Sequence, residues 1–326
     1  MTRPTQSRRL ALCIGMAALL PAMASAQQAF PSRPLRVIVP FAAGGGTDII
    51  ARALAVKMAE ATNQQVVVDN RTGGGTVIAS EIVARSSPDG HTLLLTANPH
   101  TSNPALYPKL PYDTVRDFAA VTMLASSPLV LAVHPSVPAN SVKELVAAAR
   151  ARPGQYAYGT SGNGGPQHIA GELFKSMAGV DLIHVPYRGG APASADLIAG
   201  QVQVGFGSVF TTLPHVKSGR LRGLAVTSPQ RAPTLPEMPT IAESGLPGYE
   251  SVTWYGVFVP GTTPAATVAA LNAIVVRALR HPDVGDRLAK EGSDVVGSTP
   301  AVFREFVVAE IEKLRKLARQ TGLRAD

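Results

Sequence analysis

Four short stretches set glycine beside hydroxyl, amide or imidazole groups at the end of an apolar run. They are "VPFAAGGGTDIIAR" (39–52), "VVVDNRTGGGTVIAS" (66–80), "YAYGTSGNGGPQHIAGEL" (156–173) and "IHVPYRGGAPASADL" (183–197). A glycine turn between a strand and a helix start offers backbone N–H groups and the positive end of a helix dipole, which suits an anion. The anion could be a nucleotide phosphate, the reacting group of a hydrolytic substrate, or a carboxylate that is only carried.

Nucleotide chemistry fits poorly. A P-loop needs G-x-x-x-x-G-K-[ST], with a lysine that reaches the terminal phosphates. None of the four turns supplies that lysine. A dinucleotide turn needs G-x-G-x-x-G. Here Gly44 and Gly46 are followed by Ile49, and Gly162 and Gly164 by Gln167. Hydrolysis would use Thr76 or Ser161 as nucleophile, with His168 as a base across the turn, and a nucleophile needs such a base within reach. No G-x-S-x-G elbow and no H-E-x-x-H is present, and the seven histidines show no metal spacing. The sequence therefore asks for no metal and no cofactor. Carboxylate binding needs only several donors. Helix-start N–H groups supply them, joined by the hydroxyls of Thr47, Thr76, Thr160 and Ser161. Asp48 would repel an anion, so its expected role is to satisfy N–H groups at its own helix start, or to act through water.

The elements that must position these turns alternate. Strands are expected at 35–39, 66–69, 92–96, 120–133 with a break at Ser126-Ser127-Pro128, 156–159, 183–186, 201–206, 221–227 and 251–259. Helical stripes lie between them. They are Ile49, Ile50, Ala53, Leu54 and Met58, then Ile169, Leu173, Phe174 and Met177, and last Phe303, Phe306, Val307, Ile311 and Leu314. Such alternation predicts an α/β fold with mostly parallel sheets. The strand–glycine turn–helix unit occurs twice early and twice past residue 150, which predicts two similar lobes. In open α/β sheets, ligands sit at the C-terminal ends of the strands.

The chain has 326 residues, 45% of them hydrophobic and 16% charged, enough for one large or two ordinary domains with real cores. Its start reads as an export leader. Arg3, Arg8 and Arg9 precede an apolar run to Met23, and Ala24-Ser25-Ala26 makes a cleavage site. Residues 1–26 are therefore expected to be removed and the mature protein to be periplasmic. Cys13 lies in that leader, so no disulfide or thiolate is expected afterwards. The formal charge of +8 includes the leader's three arginines, leaving +5. That charge is scattered, and no nucleic-acid partner is expected.

The residues "PSRPLRVIVPFAAGGGTDIIAR", "VVVDNRTGGG", "NPALYPKLPYDTVRDFAAVT", "YGTSGNGGPQHIAGELF", "HVPYRGGAPASADLIAGQV" and "LPEMPTIAESGLPGYE" follow one another in order. Together they resemble the Bug receptors, the substrate-binding proteins of tripartite tricarboxylate transporters. The resemblance spans essentially the whole mature chain. It implies a two-lobed periplasmic binding protein of type II, with the ligand cleft between lobes and no enzymatic activity. Lobe one is implied at 27–123 and 226–326, lobe two at 124–225, with crossings near 122–126 and 224–227. The implied ligand is a small organic anion, a di- or tricarboxylate or an aromatic carboxylate. The implied partners are membrane transporter subunits or a sensor domain, and a monomer is expected.

By that resemblance, lobe one holds the ligand through Phe41, Ala42, Gly45, Thr47, Asp48 and Thr76. Lobe two closes with Ser161, Gly162, His168, Tyr187, Arg188 and Gly189. Asn98 should face the cleft near a hinge. The chain departs from the family in three places. Gly207-Ser208 stands where many members have a Phe-Asp pair, which weakens an amino-acid ligand. Arg188 replaces a lysine, offering a planar fork that suits a carboxylate. Thr76-Val77 replaces a commoner Gly-Asn pair and makes that turn more apolar.

Overall fold

The computed structural model describes residues 30–324 except Gly45, Arg188 and Glu291. The leader, its cleavage point and Cys13 lie outside the described residues. In chain order the strands are β1 (Leu35–Val39), β2 (Val66–Asn70), β3 (Thr92–Ala97), β4 (Phe118–Val133) and β5 (Ala157–Thr160). They continue with β6 (Ile183–Pro186), β7 (Val204–Ser208), β8 (Arg222–Val226), β9 (Val252–Pro260) and β10 (Asp294–Val295). The helices are α1 (Gly46–Thr62), α2 (Val77–Ala84), α3 (Pro99–Leu106), α4 (Val142–Ala151) and α5 (Pro166–Ala178). They end with α6 (Gly190–Ile198), α7 (Val209–Lys217), α8 (Ala265–Leu279), α9 (Pro282–Lys290) and α10 (Pro300–Thr321). This is a mixed α/β architecture.

The sheet runs β2-β1-β3-β9-β4-β7-β5-β6, with β8 and β10 both paired to β4. Its two outer parts are parallel, β2-β1-β3 at one end and β7-β5-β6 at the other. The middle is not. Strands β4 and β9 run antiparallel to their neighbours. The expectation of mostly parallel pairing therefore holds only for the βαβ units. The long strands that join the two halves obey a different constraint, because they enter one half and return.

The expected break in the fourth strand is absent. β4 continues for 16 residues through Ser126-Ser127-Pro128. What changes there is the partner. Residues Phe118 to Pro128 pair with β9, and Leu129 to Val133 pair with β7 and β8. A proline lacks an N–H and weakens a ladder. At the seam between partners that loss is tolerated, and Thr227 Oγ1 takes the next N–H, from Leu129, at 2.7 Å.

Helix α10 ties the halves together. Thr299 caps its start by accepting from Val302 N, Pro300 follows, and Gly322 ends it in a left-handed turn. Over 22 residues the helix extends about 33 Å. Its first buried residues, Phe303, Val307 and Ile311, pack with Trp254 and Phe258 of β9. Leu314 and Leu317 instead join the core of the second half, with Tyr158 and Phe174. In α5 the stripe turns less far than its periodicity predicts. Ile169, Leu173 and Phe174 are buried, but Met177 is exposed.

Leu314 sits where the stripe changes cores and is 2% exposed. Leu314→Ala should lower stability by about 2–4 kcal/mol through the cavity it leaves. Urea unfolding of the mature chain checks this. A cost below about 1 kcal/mol would mean that the second half holds together without α10.

Candidate functional site

The first turn is built around Asp48, which is 2% exposed at the start of α1. Its Oδ2 accepts from Gly44 N at 2.8 Å and from Arg52 Nε at 2.9 Å. Its Oδ1 accepts from Asn70 Nδ2 at 3.0 Å. The same Asn70 nitrogen reaches Phe41 O at 2.9 Å, and Arg52 closes the ring by donating to Asn70 Oδ1 at 3.0 Å. One carboxylate thus joins the glycine turn, helix α1 and the end of β2. The Arg52 hydrogen bond, then the Gly44 N–H and the Asn70 amide, hold its pKa down at about 2 against the opposing effect of burial.

The second turn passes through Gly73, Gly74 and Gly75, all at positive φ, into Thr76. Thr76 itself is left-handed, at φ 80, which is uncommon for a β-branched residue. Asn103 of α3 holds this conformation. Its Nδ2 donates to Gly75 O at 2.8 Å and to Thr76 Oγ1 at 3.2 Å.

The third turn follows β5. Ser161 Oγ donates to Gln167 Oε1, and Gly164 N donates to His168 Nδ1 at 3.0 Å. That geometry makes His168 Nδ1 an acceptor. Its ring stacks on His184 at 3.8 Å between centroids, and His184 Nε2 meets Thr160 Oγ1 at 2.7 Å. The fourth turn is fastened to the third. Tyr187 N donates to Thr160 O at 3.0 Å and Gly189 N to Ser161 O at 3.2 Å. The Tyr187 hydroxyl donates to Asp196 at 2.7 Å, and burial followed by that carboxylate pushes its pKa up to about 12.

Three of the four turns meet in one cavity of about 450 Å³. Pro40 and Phe41 line it from the first turn, Gly73, Gly75 and Thr76 from the second, and Asn163, Gly164 and Gly165 from the third. Helix α3 supplies the remaining wall with Pro99, Ser102, Asn103, Leu106 and Tyr107. Of the expected site residues, Phe41 and Thr76 face this space. Thr47 and Asp48 are buried behind the first turn, and Ala42 is exposed beside it. Ser161, Gly162 and His168 belong to the third turn without lining the cavity, and Tyr187 and Gly189 adjoin it. Gly45 and Arg188 lie outside the described residues. Asn98 is occupied elsewhere: its amide donates to Val252 O at 2.8 Å and accepts from Trp254 N at 3.1 Å, which pins α3 to β9.

Sequence reasoning passed over Ser102, Asn103 and Tyr107. The available signal was the polar run "HTSN" between Pro99 and Pro104, too short and too polar for an amphipathic stripe. Among the described residues, no group of His, Cys, Asp and Glu could hold a metal ion. None of the described helices is long and apolar enough to cross a membrane.

The family model described as "Tripartite tricarboxylate transporter family receptor" matches residues 50–323. The protein BugT of Bordetella pertussis is 36% identical over 295 residues, 90% of each chain. Among solved structures, R. palustris Rpa4515 with adipate is 37% identical with a TM-score of 0.73, covering 90% of this chain and 99% of that one. MatC from Rhodopseudomonas palustris with bound malate is 33% identical with a TM-score of 0.70, covering 88% and 99%.

The Asp48 clamp has a pH signature. Its folded-state pKa of about 2 lies below the ordinary 3.8. The stabilisation is complete above the ordinary value and is lost as pH falls toward about 2. Asp48→Asn keeps the shape but removes the charge. It should cost about 1–2 kcal/mol at neutral pH, a figure reduced because Arg52 is 53% exposed. The gap to the unsubstituted protein should narrow below about pH 4. Thermal unfolding across pH 2–7 checks this, and equal stability at neutral pH would remove the clamp from its role. The family match and the turns it covers make this chain a member of the tripartite tricarboxylate transporter receptor family, the Bug receptors.

Proposed function

We propose that this chain is a periplasmic solute receptor that closes on a small organic anion. The ligand class is a di- or tricarboxylate, or an aromatic carboxylate. The lobes are 27–123 with 226–326, and 124–225. The receptor hands its load unchanged to the membrane subunits of a tripartite tricarboxylate-type transporter, or presents it to a sensor domain. Export follows from the leader pattern at 1–26. The observation that carries this reading is the cavity of about 450 Å³ where three glycine turns and α3 meet. Family members with adipate and with malate bound support the carboxylate class.

A hydrolase on Ser161 or Thr76 draws no support from the geometry. The Ser161 hydroxyl is directed to the amide of Gln167, and His168 Nδ1 accepts from a backbone N–H. Thr76 Oγ1 accepts from Asn103, which is no base. Closure by hinge bending gains only from contacts made in the shut state.

A thermal-shift screen of organic acids against ligand-stripped protein tests the reading. An acid at 100 times its Kd should stabilise by about 2.7 kcal/mol and be recovered intact. If amino acids or sugars raise the melting point while no carboxylate does, the ligand class is wrong.

A further inference from the structure

We propose that Tyr107 sets the length of acid the cleft accepts, and that Arg315 behind it takes the far carboxylate of longer diacids when that wall gives way. The inference rests on the carboxylate reading above and deepens it.

Tyr107 is a partition. It lines the cleft cavity of about 450 Å³ and also two cavities on the far side of α3, of about 380 and 550 Å³. Leu106 too is shared by the cleft and the larger outer cavity, so these two adjoining side chains each face both spaces. Arg315 of α10 lines both outer cavities. Its one ion pair among the described residues is long, 3.9 Å to Glu312, and the side chain is 48% exposed. Arg319 lines the larger cavity too and makes no ion pair among the described residues. A helix-dipole role accounts for Arg319 in the last turn of α10. It does not account for Arg315, more than a turn earlier. The smaller outer cavity carries Asp113 beside Arg315, so the space that matters is the larger one, whose lining is mainly apolar and holds Arg315 and Arg319 with no acidic side chain.

The wall is seated in a notch. A Cβ at Gly75 would collide with the Tyr107 hydroxyl, and Gly75 sits at φ +59, so glycine is required there twice over. No hydrogen bond holds that hydroxyl among the described residues. Packing alone keeps the ring in place, and packing can be removed by substitution without leaving a buried polar group unpaired.

Isothermal titration of the mature chain with succinate, adipate, suberate and sebacate tests the proposal. The unsubstituted protein should bind the shorter acids and discriminate against sebacate. Tyr107→Ala should raise the sebacate-to-succinate affinity ratio by about tenfold, the worth of a partly exposed charge-assisted pair. Adding Arg315→Gln should abolish that gain, and Tyr107→Phe should keep the original profile. Gly75→Ala, which unseats the ring without removing it, should shift the ratio in the same direction as Tyr107→Ala. An unchanged length profile in both Tyr107→Ala and Gly75→Ala overturns the proposal, as does a gain that survives Arg315→Gln. Failure of all four acids to bind either the unsubstituted chain or the variants overturns the carboxylate reading itself, and this inference with it.

Discussion

A buried carboxylate that stays ionised governs the first turn of this fold. Burial alone would favour the neutral form of Asp48. Three donors from three places reverse that preference: the Gly44 N–H, the Arg52 guanidinium and the Asn70 amide. Because Asn70 ends β2 and Phe41 hangs from the same amide, the turn, the helix and the neighbouring strand are set by one charge. The charge is also balanced. Arg52 offsets it at 2.9 Å, so the turn does not present a bare anion to the space in front of it. A negative side chain beside the proposed anion site is thereby reconciled with binding. The site is pre-organised, and a ligand need not meet the cost of ordering it.

The same economy runs through the other turns, with a consequence for recognition. Gly44, Gly162, Gly164 and Gly189 all donate their N–H groups inward, to Asp48, Thr160, His168 and Ser161. Glycine turns before helices suggest a cradle of outward-facing N–H groups. Here much of that capacity holds the turns in shape. Polar character on the cavity wall falls instead to side chains, among them Thr76, Ser102 and Tyr107. The selectivity of such a wall depends more on shape and side-chain placement than on a generic backbone anion hole.

How much of this was legible beforehand depended on how local its cause is. The strands β1 and β6 and the glycine turns follow from short-range patterns, and they form where the pattern puts them. The unbroken β4 was not legible, because Ser126-Ser127-Pro128 reads as a break until two different partners are known to flank it. The antiparallel middle of the sheet was hidden for the same reason. Asp48 was recognised as a residue in need of a partner, but Asn70 stands 22 residues away and Phe41 contributes a carbonyl that no side-chain pattern reveals. Helix α3 was the largest omission on the site. Its buried Thr101, Ser102 and Asn103 are polar, and they are placed by Gly75, Asn98 and β9 rather than by any stripe of their own.

Helix α3 also constrains how the two halves can move. Asn98 fixes one end of it to β9, and Asn103 fixes its middle to the second turn, both in the first half. Leu106, at the other end, packs into the core of the second half with Leu314 and Leu317 of α10. A rotation centred on α3 would therefore break hydrogen bonds or expose core. Bending costs least where β4 changes partner, between Pro128 and Leu129, and at the return from Thr227 to Ser251, where Ser251 N donates to Thr227 O at 3.0 Å. Those points lie in the strands, while the cavity wall rides on α3. Closure in the proposed receptor, if it bends there, leaves the hydrogen bonds of α3 to β9 and to the second turn intact, while Leu106 couples the wall to the core that carries the third turn.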